Sequence, residues 1–209
     1  MRLTDPEPSA AAGRRRAVLI RRGLRLEYAT LAWNVVEIGF LIVAAVLASS
    51  VALAGFAVDS VIEIFASVVV VWQLRGSAHP RREQRAVRLI GCAFLGLSTY
   101  LVAQIAAALA AGIRPDTSIL GIVWLAATTG AMSLLAWGKA RTGHELDNPV
   151  LRSEARVTVI DASLAATILL GLVLNAIVGW WWADLAAAAV LVVYGLVEGR
   201  AALVSDRTR

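Results

Sequence analysis

Asp59 and Glu63 stand four residues apart in an otherwise apolar run, Val51-Ala-Leu-Ala-Gly-Phe-Ala-Val-Asp59-Ser60-Val-Ile-Glu63-Ile-Phe-Ala-Ser67. On a helix this spacing stacks the two carboxylates on one face, about one turn apart. Carboxylates that close repel each other unless a proton or a cation lies between them. The pair therefore reads either as half of a cation site or as two protonated acids bonded to neighbouring helices. A second run opens Ser153-Glu154-Ala-Arg-Val157-Thr158-Val-Ile-Asp161-Ala-Ser163. Asp161 lies one turn beyond Val157 and two turns beyond Glu154, with Thr158 on the same face, and could complete the site. Glu154 sits at the mouth of its run, where it could be a ligand or could compensate the charge of a helix N-terminus. Asn34 and Glu37, three apart in the first apolar run, could provide an entry ligand or a proton acceptor. They could equally be glue that hydrogen-bonds an adjacent helix.

These residues matter because of what surrounds them. Of the 209 residues, 59% are hydrophobic and only 17% charged, and the mean hydropathy is +0.72. The apolar runs cover approximately 28–49, 51–74, 86–111, 118–138, 155–178 and 181–203. Each is close to the roughly 20 residues that a helix needs to cross a bilayer. The expected fold is therefore an all-α, polytopic membrane protein of six transmembrane helices occupying residues 25–204. A basic N-terminal segment, 1–24, reads as disordered, and 205–209 as a short tail. A polar link from Lys139 to Arg152 divides helices one to four from the last pair. An ionised side chain at the centre of such a helix costs at least about 2.5 kcal/mol, so intramembrane acids point to function by default. Glu27, Glu83, Asp116 and Glu145, by contrast, read as solvated charges in loops or at helix ends.

Alternating the loops between the two sides puts every Lys and Arg except Arg114 on one side. The positive-inside rule makes that side the cytoplasm, with both termini in it, and Trp180–Trp182 then form an aromatic belt at the opposite interface. A bacterial inner membrane is the expected location. The net charge of +5 is accounted for by these flanking arginines, so nucleic acid is not an expected partner. His79 and His144 fall in the basic loops and Cys92 is alone, so neither imidazole nor a thiolate cluster is available at mid-membrane. No Ser/His dyad, His-Glu-x-x-His or Gly-rich phosphate loop occurs, and no enzyme activity or resident cofactor is expected.

Residues 25–204 resemble the cation diffusion facilitators, a six-helix family of divalent-metal exporters. The resemblance rests on Asp59-Ser-Val-Ile-Glu63, on Ser153-Glu154-x-x-Val157-x-x-x-Asp161 and on Ala183-Asp184 at the start of the sixth helix. It implies a cation-efflux-like bundle in which Asp59, Glu63 and Asp161 hold the metal at mid-membrane, with Glu154 as a further metal ligand at the cytoplasmic mouth and Asn34 and Glu37 nearby. It also implies exchange of metal for protons on the same carboxylates. Val157 stands where the family often has a histidine, which leaves an oxygen-only set. Oxygen ligands suit harder cations, whereas the family leans toward zinc, so Zn²⁺, Mn²⁺, Co²⁺ and Fe²⁺ are all candidate cargo. The ending at Arg209 matches a compact branch without the C-terminal cytoplasmic domain. The small-residue stretch Ala183–Ala189 would permit close packing within one chain or across a homodimer. The alternative function is a non-transporting membrane scaffold or partner subunit whose buried acids are structural.

Overall fold

The computed structural model describes residues 10–74 and 80–204. They form six helices: α1 Ala10–Ala48, α2 Val51–Leu74, α3 Pro80–Ala111, α4 Ile119–Glu145, α5 Pro149–Val178 and α6 Trp182–Val204. Five stretches, Gly13–Ala48, Gly91–Ala111, Ile119–Glu145, Glu154–Val178 and Trp182–Ala201, are long and apolar enough to cross a membrane. The distribution of side chains is that of a multi-pass membrane protein. Val46 is 74% exposed and Ile177 78%, while Glu27, Glu37 and Lys139 are fully buried. Water would impose the reverse arrangement.

Several helices run further than the hydropathy runs indicate. α1 begins at Ala10, so the part of the 1–24 segment that is described is helical, not disordered. Its alanines, arginines and leucines are strong helix formers, and they continue the first span outward. Residues 1–9, 75–79 and 205–209, which include His79 and the short tail, lie outside the described residues. The expected link from Lys139 to Arg152 shrinks to Leu146–Asn148, because α4 continues to Glu145 and α5 starts at Pro149. Arg141 pairs with Glu145 one turn on, at 3.2 Å, along the added stretch of α4. The Asn148 side chain accepts from Leu151 N–H, and Pro149 occupies the first helical position, where its missing N–H is not needed.

α1, α2, α5 and α4 form a closed ring of neighbours, while α3 packs on α6 and both lean on α2. The α1–α2, α3–α4 and α5–α6 turns share one end of the bundle. There Ser50 donates to Asp184, and Asp184 also accepts from the Val51 and Ala52 N–H groups. At that end, too, Arg114 lies 5.6 Å over the Trp181 ring. The α4–α5 turn lies at the other end, beside Arg15, Arg16 and Leu19 of α1. Ala183 and Ala187 of the small-residue stretch are spent within the chain, against Gly171 of α5.

The α3–α6 contact depends on Gly195 and Gly199, one turn apart on α6. A Cβ at Gly195 would lie 2.5 Å from Ser98 Oγ and 3.1 Å from the Phe94 carbonyl oxygen. The Ser98 hydroxyl lies within hydrogen-bonding distance of the Phe94 and Val192 carbonyls, so it has little room to yield. Gly195→Ala is expected to lower stability by about 1–3 kcal/mol through overpacking. Gly130→Ala, at a helical position with nothing within 4 Å, is expected to be neutral or to gain up to about 1 kcal/mol. Thermal unfolding of the two variants in detergent checks the opposite signs.

Candidate functional site

The ring of α1, α2, α4 and α5 encloses a polar seam. On α1 a buried stripe runs Glu27, Thr30, Asn34, Glu37 and then Leu41 at steps of three or four, the helical period. α2 contributes Asp59, Ser60, Glu63 and Ser67, α4 contributes Thr128 and Lys139, and α5 contributes Glu154, Thr158 and Asp161. Each of these side chains is 6% exposed or less. The six residues singled out from the sequence, Asn34, Glu37, Asp59, Glu63, Glu154 and Asp161, therefore all face one interior.

Within the seam they differ in how well they are satisfied. Glu37 accepts from Thr128 on one oxygen and from Ser60, at 3.1 Å, on the other. Thr128 is itself oriented by the Trp33 indole N–H at 3.1 Å. Glu37 thus has the bonding expected of interhelical glue. Asn34 donates to one Glu63 oxygen at 3.0 Å, which makes it a neighbour that orients an acid. The other Glu63 oxygen, Oε1, has no hydrogen-bond partner, and neither has Oδ2 of Asp161. Asp161 is within electrostatic reach of Glu63, Asp59, Glu37 and Lys139. A buried carboxyl oxygen without a donor is costly, and a proton or a cation would relieve that cost. Among the described residues, no three His, Cys, Asp or Glu side chains converge on a common point closely enough to hold a metal ion in this conformation.

Glu27 is not the solvated helix-end charge that its sequence position indicates. It is fully buried and lies 3.2 Å from the Lys139 ammonium. Lys139 also lies 3.4 Å from Glu154 and donates to Thr158 at 3.1 Å. Ser67 donates to Glu154 at 3.3 Å, which brings α2 into the same cluster. Hydropathy falls after Gly138, which is why the sequence places Lys139 at the start of the polar link. The signal that finds it is the buried stripe on α4, where Leu125, Thr128, Met132, Ala136, Lys139 and Thr142 recur at steps of three or four. Asp116 and Glu145 are exposed, as their sequence positions indicate, and so is His144.

The seam ends in apolar packing toward the α1–α2 turn. Leu41, Phe56, Leu125 and Leu164 each lie about one turn beyond a polar member of the seam, and all four belong to the buried core. The acids are thus bounded by hydrocarbon at one end and by the Lys139 ion cluster at the other. No protein-family model matches this sequence, and a comparison with curated proteins finds no match.

Proposed function

We propose that the chain is a six-span divalent-cation transporter that exchanges metal for protons at Asp59, Glu63 and Asp161. In this reading α2 (Val51–Leu74) is the remaining span, both termini lie in the cytoplasm, and the membrane is a bacterial inner membrane. One observation carries the proposal. Among the described residues, six carboxyl groups, those of Glu27, Glu37, Asp59, Glu63, Glu154 and Asp161, are buried in one seam with Lys139 as the buried cation. If all were ionised, five negative charges would stay unbalanced in a low-dielectric interior, at several kcal/mol each. The seam is tolerable only with protons or cations on it, and exchanging one for the other is transport chemistry. The resemblance to the cation diffusion facilitators, carried by Asp59, Glu63 and Asp161, supports the same reading.

The rival is a non-transporting scaffold whose acids stay protonated and bond neighbouring helices. It is favoured by the lack of three converging ligands among the described residues. Transport requires a second conformation in which Asp161 closes on Asp59 and Glu63. Metal flux into proteoliposomes separates the two readings, with Zn²⁺, Mn²⁺, Co²⁺ and Mg²⁺ each tried with and without a pH gradient. The transporter is expected to move at least one metal, faster with protons supplied from the opposite side. Folded protein that moves none of them under either condition would leave the scaffold standing.

A further inference from the structure

We propose that Lys139 is a tethered counter-cation that closes the seam at the α4–α5 end, so that cargo entering from that side must displace its ammonium from Glu154. The inference rests on the transport reading, which it deepens by naming the gate of the same path. Lys139 is fully buried and belongs to α4, while its two carboxylate partners belong to α1 and α5. Three helices of the ring are therefore pinned by one ammonium group. Ser67 of α2 bonds the same Glu154 oxygen that Lys139 faces, so all four helices meet at this level.

Stability alone does not account for such an arrangement. A buried ion cluster gains little over a well-packed apolar one, because desolvation offsets the attraction. The other end of the same ring is in fact closed by apolar side chains: Leu41, Phe56, Leu125 and Leu164. An apolar layer opens only by separating the helices. An ion cluster can instead open by exchange, since a carboxylate can trade the lysine ammonium for another cation without losing its countercharge. Glu154 is suited to this role, because seven residues, or about 10 Å of helix, separate it from Asp161 on the same face of α5. Cargo accepted at Glu154 is handed on to an acid whose Oδ2 has no partner. Lys139 is thus a positioning residue: it occupies the entry carboxylates until cargo arrives and keeps the four helices closed meanwhile.

The test reads access, not flux. In a Cys92→Ser background, Ser60→Cys places a thiol about 10 Å beyond Ser67, on the far side of the cluster. The full chain in membrane vesicles is treated with a charged, membrane-impermeant methanethiosulfonate from the α4–α5 side. With Lys139 present, labelling is expected to be slow. Lys139→Met is expected to raise the rate at least about tenfold, as a state populated at a few per cent becomes dominant. The neutral triple variant Glu27→Gln/Lys139→Met/Glu154→Gln, which leaves no unpaired charge, should show the same rise if the single variant does not fold. Lys139→Arg should stay slow. A folded triple variant labelled no faster than the parent overturns the gate. That result would not touch the transport reading, which stands or falls on flux through the unmodified protein.

Discussion

Asp161→Asn is expected to abolish metal flux and to leave the fold intact. Its Oδ2 is buried and has no hydrogen-bond donor, so the surrounding protein compensates the negative charge poorly. Replacing the carboxyl by an isosteric amide removes the negative charge that would take up a proton or a cation. Flux is expected to fall at least about 100-fold, since even outer-shell groups around a metal are worth 10- to 100-fold. Glu63→Gln is expected to act the same way, because Glu63 Oε1 is also unpartnered. Glu37→Gln supplies the contrast. Both Glu37 oxygens accept hydroxyl donors, from Thr128 and Ser60. An amide there loses one acceptor and costs about 1 kcal/mol of stability, with a much smaller effect on flux. Proteoliposome flux alongside thermal unfolding checks both patterns. If Asp161→Asn transports at the parental rate, Asp161 is not on the path. If Glu37→Gln is the dead variant, the cargo is held by Glu37 and not by Asp161.

The acids were legible because each interrupts an apolar run. Asp59, Glu63, Asp161 and Glu37 contrast so strongly with their neighbours that hydropathy alone isolates them, and helical spacing puts them on common faces. Glu27 and Lys139 were not legible by that means. They lie at the frayed ends of their runs, among arginines, where a hydropathy average reads loop. Their burial comes from the continuation of α1 and α4 beyond the apolar stretch, and only the three-and-four spacing of the α1 and α4 stripes carries that information. The helix starts at Ala10 and Pro149 escape hydropathy for a related reason: both belong to good helix-starting sequence that is not hydrophobic. The pairing of α3 with α6 is not legible in hydropathy. In lipid the outer faces of all helices are apolar, so periodicity does not tell neighbours apart, and packing is set by small residues instead. Gly195 and Gly199 are that signal, visible in the sequence once the partner helix is known. How far apart the acids sit was beyond any sequence argument, because it depends on the relative tilt of four helices.

Lys139→Met is expected to be the most destabilising single substitution in the seam. It removes the ammonium that lies between Glu27 and Glu154 and leaves both carboxylates buried without a countercharge. Breaking a buried ion pair from one side costs about 3–5 kcal/mol. The neutral triple variant Glu27→Gln/Lys139→Met/Glu154→Gln is expected to recover most of that loss, because uncompensated charge, and not the missing contact, dominates the cost. Methionine fills a volume close to that of the lysine stem, so cavity formation adds little. Denaturant or thermal unfolding in detergent, followed by tryptophan fluorescence, measures the difference between the two variants. A single variant as stable as the parent would mean that Glu27 and Glu154 do not depend on Lys139 for their charge balance. A triple variant as unstable as the single would shift the cost from charge to packing. The expected ordering, with the parent and the triple close together and the single far below, follows only if the seam tolerates its acids by keeping each one paired, protonated or occupied.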